Sequence, residues 1–512
     1  MKLKAFVLSI LLLITSGRAQ LNVSLLSEYQ LGNLPETQPE NLSSLYSQLN
    51  LQYRQNSSSV GLRYESFQSS RNGRSYEHFA QRYFEWQQGA FRVRVGNYYT
   101  TLGRGLLLRA FELPNVIFEQ RQFRRRYGYY RDLDGLLIEG TWSRFEFKLL
   151  HGQPLNNIFP PQLEGFSRRT GNVQGGQIVF RPTGWLMLGN AFARTNFKDR
   201  KQQEMNSVFT TLSFSKMLRR AGLKRASLKL YAEHARANAS IDNFFSTSAK
   251  DPHATFIGLN FSYKKIGFMA EYKDYQKFEN NINLPPIAYM EHSYYLLNRA
   301  THELMSDYEK GYQVEINFRP TERILLLANT SFARNELSFA AFEFAEHFLE
   351  ATIYWTDFLT SKTFYDWAKE EIKGEHARRT GGADVEWSFY GSYALTAEFQ
   401  QQSIERRFGP TFRENFNNTY ATLTLSRAPH VSLSLVINRS TDPAETDDPH
   451  TPLQVESEAK YWLGLVGAYQ INMANEISAF YGSRRGGLVC TSGTCYEVLP
   501  FKGLEVRWIA RF

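Results

Sequence analysis

Cys490 and Cys495 are the only two cysteines in the 512-residue chain, separated by Thr-Ser-Gly-Thr. In an oxidising, exported setting such a pair is expected as a disulfide. A metal site would need two more ligands that the neighbourhood lacks, and a redox motif would need Cys-x-x-Cys. A six-residue ring gains little loop-closure entropy, so its expected role is to stiffen a loop tip. A second cluster lies in residues 99–133. Leu102-Gly103-Arg104-Gly105-Leu106-Leu107-Leu108-Arg109 leads into Arg121, Arg124, Arg125, Arg126 and Arg131, interleaved with Tyr127, Tyr129 and Tyr130. The Gly-x-Gly there opens no helix after a parallel strand, so it is no nucleotide fingerprint. The arginines have two readings: snorkelling toward lipopolysaccharide phosphates, or lining an anion-favouring constriction formed as Leu106–Leu108 folds inward. Asp442, Glu445, Asp447 and Asp448 form an acidic run, but without the spacing of a calcium loop it reads as a solvated segment. The ten histidines fall in no His-Glu-x-x-His, and Gly-x-Ser-x-Gly is missing, so no catalytic residue, metal or cofactor is expected.

The elements that must position these residues are strands. Phe91, Val93 and Val95 alternate with Arg92 and Arg94; Phe145, Phe147 and Leu149 with Arg144, Glu146 and Lys148; Leu228, Leu230 and Ala232 with Ser227, Lys229 and Glu233. The pattern continues in Val314, Ile316 and Phe318 around Glu315, and in Val385 and Trp387 around Asp384 and Glu386. Alternation of this kind marks a half-buried strand. Short connections (88–90, 141–143, 182–184, 264–266, 320–321, 390–392, 427–430) take turns with long ones (99–133, 152–173, 236–251, 277–310, 402–413, 440–455). Outer-membrane barrels have this rhythm of short periplasmic turns and longer extracellular loops, whereas a soluble sandwich has no reason to keep it. Counting twelve long and eleven short connections predicts a single large transmembrane antiparallel β-barrel of about 24 strands, within 22–26. Both termini then lie in the periplasm.

Three further features agree. Lys2 and Lys4 precede an apolar run at residues 5–14 and a small-residue end at Ala19, the layout of a signal peptide over residues 1–19, leaving 20–512 as the barrel. Aromatic residues make up 15% of the chain, as barrels with aromatic girdles require. The last strand sets Leu504, Val506, Trp508, Ala510 and Phe512 on one face and Glu505, Arg507 and Arg511 on the other. Ending on an aromatic resembles the C-terminal signal, here Trp508 and Phe512, that outer-membrane barrels present to the assembly machinery. The net charge of +9 is spread along the chain, which suits anionic headgroups or solutes, and no nucleic-acid motif accompanies it.

Gly96-Asn97-Tyr98-Tyr99 running into Leu102-Gly103-Arg104-Gly105-Leu106, together with Arg485-Gly486-Gly487-Leu488-Val489-Cys490, Cys495 and Pro500-Phe501-Lys502-Gly503, resembles a porin-like family of outer-membrane barrels of unknown function from Bacteroidota-type bacteria. The resemblance implies location and fold only. Twenty-four strands would enclose a cylinder about 45–50 Å across. Such a hole would leak unless inward loops, a flattened section or another protein filled it. Strands begin almost at the mature terminus, so no separate N-terminal plug domain is expected to do this. The expected function is a porin-like or loop-gated channel for small polar or anionic solutes, its lumen lined by Arg92, Arg94, Arg144, Glu146, Lys148, Lys229, Glu233, Glu315, Asp384, Glu386, Glu505, Arg507 and Arg511. The alternatives are a non-conducting barrel that scaffolds other envelope proteins, and, behind it, a barrel-embedded hydrolase.

Overall fold

A computed structural model describes residues 19–33, 42–71, 73–120, 124–155, 167–198, 201–238, 243–248, 250–337, 340–409, 411–446 and 459–512. Residues 1–18 of the proposed signal peptide, Arg121, Asp447 and Asp448 lie outside the described residues. Twenty-four strands form one antiparallel sheet. It closes on itself because the first strand, Ala19–Asn33, pairs on one side with Leu42–Gln55 and on the other with the last, Phe501–Arg511, through Tyr29 opposite Val506 and Glu28 opposite Arg507. Closure leaves no sheet edge with unpaired backbone groups, which hydrocarbon cannot satisfy. No helix among the described residues is long and apolar enough to cross a membrane.

The two ends of the barrel differ. At one end lie the chain's first and last strand ends and eleven connections, most of them tight turns such as those after Gln55, Gln88, Trp142, Tyr263 and Asn472. The exception is the connection after Ser213, which carries the short helix Ser215–Arg220. The other end carries twelve connections. Not all are long: Tyr393–Phe408 and Phe412–Arg427 are separated by three residues, where a loop over 402–413 is expected from the sequence. Each of these strands runs for 16 residues, well past the hydrocarbon thickness of about 30 Å, so their outer ends are polar on both faces and read as loop.

The outward face is apolar, with Phe84, Leu149, Phe192, Leu349, Phe399, Leu423 and Leu463 all exposed. Trp142, Trp355, Trp387 and Tyr390 ring the tight-turn end, where a membrane interface favours amphipathic aromatics. Three connections from the opposite end fold into the barrel: the described parts of residues 99–132, which are 99–120 and 124–132 (the first insert), 277–307 (the second) and 485–500 (the third). The first is read from sequence as a loop without strands, whether snorkelling or folded inward; it contains Thr100–Leu102, Leu108–Glu119 and Arg126–Arg131, which form a small sheet of their own.

Candidate functional site: a plugged lumen

The first insert reaches across the lumen. Its tight turn begins with Gly103 and Gly105, both at positive φ. The backbone N–H of Gly103 donates to Gln177 Oε1 and that of Arg104 to Glu233 Oε2, each at 2.8 Å. Tyr231 donates its hydroxyl to the same Glu233 oxygen at 2.6 Å. A Cβ on Gly103 would come within 2.1 Å of the Glu233 carboxylate, so only glycine allows this approach. At its other end the insert meets the opposite wall. There the guanidinium of Arg126 forms a buried ion pair with Glu28, which also accepts from Arg507 Nε at 2.6 Å. Arg63 of the wall holds Glu112 of the insert at 2.8 Å.

Between these anchors the plug is dry. Leu102, Leu106, Leu107 and Leu108 are buried against Val173, Ala191, Ala193, Met205, Phe256 and Tyr275 of the barrel wall and Phe278 and Ile282 of the second insert. Asn280 and Asn283 donate their amides to the carbonyls of Leu107 and Leu106, each at 3.1 Å, and the Arg109 N–H donates to Ile282 O at 2.9 Å. The two inserts are therefore one body. The inward wall here is apolar, which a uniformly wet lumen would not require. The apolar residues of strand Leu186–Phe197 were a readable signal of this: Leu188 and Phe192 face out while Ala191, Ala193 and Phe197 face in.

The second insert is tied to the wall by charge. Lys273 and Glu309, both on the wall and fully buried, form an ion pair, and Lys273 also donates to the carbonyl of Ile287. His302 bridges Glu370 through Nδ1 at 2.5 Å and Glu309 through Nε2 at 3.3 Å. Burial opposes the charged imidazole, but bonds and charge from Glu309 and Glu370 outweigh it and hold its pKa above the usual histidine value. His292 Nε2 lies 3.1 Å from Glu346, whose other oxygen accepts from Arg378 at 2.8 Å. Tyr294 stacks on Phe364 at 3.9 Å and donates to Glu350 at 2.7 Å.

The third insert is the hairpin Gly487–Thr491 and Thr494–Val498, with Cys490 and Cys495 opposite each other and joined as a disulfide. It is not a free loop tip. Cys490 is buried; Asn298 of the second insert donates to its carbonyl at 2.8 Å and accepts from its N–H at 3.0 Å. The Gly493 N–H donates to Glu291 at 2.6 Å, and Arg109 of the first insert donates to Ser492 O at 3.1 Å.

The arginines singled out in the first insert are spread through this body. Arg104 lies over the Tyr231 ring, Arg109 over Phe111, and Arg124 pairs with Glu119 at 2.6 Å. Arg125 donates to Gly73 O at 2.9 Å and Arg131 to Asn281 O at 2.6 Å. The charges of Arg124 and Arg126 are matched inside the plug and withdrawn from solvent. Of the acidic run, Asp442 accepts from Arg406 and Glu445 from Arg485, so neither stands as a freely solvated carboxylate.

The half of the lumen nearer the tight turns is different. Arg92 pairs with Glu139, which also lies 3.4 Å from Lys148; Arg94 lies 3.7 Å from Glu85 and over the Tyr83 ring. Glu146 pairs with Arg181 at 2.7 Å, and Arg144 donates to Pro182 O. Glu315, Lys229, Asp384 and Glu386 occupy inward register positions on their strands, Asp384 opposite Lys362 and Glu398. Glu505 instead pairs with Arg484 at 3.1 Å at the insert-bearing end, whereas Arg511 lines a cavity of about 530 Å³ with Arg63, Arg94, Tyr83 and Glu112. A smaller cavity of about 280 Å³ sits among the three inserts, walled by Tyr129, Arg131, Tyr289, Glu303 and Thr494. Sequence reasoning missed Glu28, Lys273, His292, His302, Glu309, Glu346 and Arg378, all of which bind plug to wall or brace those that do, and Asp366, buried beside them.

Among solved structures the chain is similar to OccK5 (OpdH) of Pseudomonas aeruginosa, at 11% identity and a TM-score of 0.40 over 72% of this chain and 96% of that one. It is also similar to OpdL of the same organism, at 12% and 0.42 over 72% and 98%, and to the PapC translocation pore of the P pilus usher, at 11% and 0.46 over 96% and 99%. No curated protein matches the chain. The sequence profile of a family of unknown function, DUF6029, matches residues 5–512, and the chain belongs to that family.

Proposed function

We propose that this protein is a porin-like, loop-gated channel of an outer membrane, passing small polar solutes when its plug shifts. The observation that carries the reading is the divided lumen: a half lined by charged side chains toward the tight-turn end, and a half closed by inserts that meet the wall from Glu28 round to Arg378. The apolar outward belt and the closed hydrogen-bonded ring suit a bilayer. In the expected orientation the tight turns and both termini face the periplasm, so solute enters past the inserts. Arg92, Arg94, Lys148 and Arg511 favour anions in the open half, tempered by Glu85 and Glu139.

The test is conductance of the purified full chain in planar bilayers. The wild type should show small or intermittent steps, and Leu107→Asp, which puts an unpaired charge in the dry core, should open the lumen and enlarge them several-fold. Silence in both, with the variant's plug demonstrably loosened, favours the non-conducting scaffold instead. Replacing Arg94 and Arg511 with Gln should shift the reversal potential of the opened variant toward cations.

A further inference from the structure

Where the second insert meets the wall, one imidazole and two carboxylates converge with nothing to complete them. His292, Glu346 and Asp366 are 3%, 3% and 0% exposed, and one ligand atom from each lies within 4.8 Å of the others. The wall places two of them by register. Phe348 pairs with Asp366 and Glu346 with Ala368, so the two carboxylates are diagonal neighbours on the inward face.

Arg378 does not complete the cluster. Its Nη1 donates to Glu375 at 3.0 Å and to Ala300 O at 2.9 Å, and its Nη2 to Glu346 at 2.8 Å. Its Nε stands 3.6 Å from Asp366, beyond hydrogen-bond reach. Both Asp366 oxygens therefore lack a hydrogen-bond partner in a fully buried place, as does His292 Nδ1. An ionised carboxylate left so is costly. The one guanidinium beside the cluster, Arg378, is shared among Glu346, Asp366 and Glu375, while Lys273 is taken up by Glu309 and His302 by Glu309 and Glu370.

We propose that His292, Glu346 and Asp366 bind a divalent transition-metal ion of the zinc type, which clamps the second insert to the barrel wall. One imidazole with two carboxylates is a recognised ligand chemistry for Zn²⁺, whose bonds of about 2.0–2.2 Å require these atoms to draw in by roughly 1 Å. Calcium and magnesium fit poorly, since they want six or more oxygens or several retained waters in a roomy site. Arg378 stays as the outer partner that orients Glu346. The inference rests on the channel reading for its consequence, since a clamped insert is a locked gate, but the binding itself is independent of conductance.

The test uses the full chain, stripped with chelator and titrated with Co²⁺ and Zn²⁺. One equivalent of Co²⁺ should give visible ligand-field bands that Zn²⁺ abolishes, and Asp366→Asn and His292→Gln should each weaken binding by at least about tenfold. Zn²⁺ should also slow amide exchange over residues 289–303 in the wild type and not in either variant. A wild type without bands or retained Zn²⁺, or binding equal in both variants, overturns the site. Binding with unchanged exchange overturns the clamp. Neither result touches the conductance test.

Discussion

From Gly171 to Gln276 the wall meets the plug with Val173, Ala191, Ala193, Met205 and Phe256. From Tyr308 to Phe408 it meets the plug chiefly with Glu309, Glu346, Glu370, Arg378 and Gln400. Apart from the polar anchors Gln177, Glu233 and Lys273 in the same stretch, the first contact is non-directional and insensitive to pH or salt, and there it resists sliding only as well as its shapes interlock. The second is directional and poised, because each buried charge depends on its partner and some partners titrate. A gate needs both. On the proposed gating account, the apolar side is the hinge that keeps the inserts inside the barrel and the charged side the latch that releases.

The sharpest way to break this contrast is to put charge on the apolar side. Leu107→Asp should detach the first insert, at a cost of several kcal/mol, and expose residues 103–110 to limited proteolysis. On the charged side Arg378→Leu should cost roughly 3–5 kcal/mol, since Glu346 and Glu375 lose their partner and stay buried. Exchange should rise at 289–303 and much less at 103–110, and equal rises would erase the distinction. Reducing Cys490–Cys495 should act locally, by about 2 kcal/mol in the chain-entropy account of a six-residue ring, with faster exchange in the hairpin and at Asn298.

The smallest effect is the pH response of His302. Its folded pKa is raised, so its contribution to seating the insert is fully present below the free imidazole's pKa of about 6.5 and is lost as pH climbs through the folded value. The insert should loosen on the alkaline side and tighten on the acid side, while His302→Gln should flatten the profile. Channel opening that increases on acidification instead would contradict the latch.

The strands were legible from their period of two, as in Phe145, Phe147 and Leu149 against Glu146 and Lys148, and the barrel from the alternation of short and long connections between them. Tight turns punctuate the strands, so counting them yields 24 even where Gln402–Phe408 was mistaken for loop. The disulfide followed from there being two cysteines. The plug was legible as a need, for something to fill so wide a lumen, and in one of the two readings of residues 99–133, in which Leu106–Leu108 fold inward as they do here, though not around a constriction of arginines. Its anchoring contacts were not, because pairs such as Arg126 with Glu28, or Asn298 with Cys490, join residues 98 and 192 positions apart and no periodicity marks them. Gly103-Arg104-Gly105 stood out as a motif, yet its purpose depends on Glu233, which alternation alone places as one more wall carboxylate.

Hydrogen exchange of the full chain in lipid tests the central claim most directly. If the first insert is packed across the lumen, the amides of Gly103, Arg104, Leu106–Leu108 and Arg109, bonded or buried within the plug, exchange as slowly as those of the barrel strands. If they exchange within seconds while the strands stay protected, residues 99–132 lie in solvent as an open loop, and both the plug and the gating account fail.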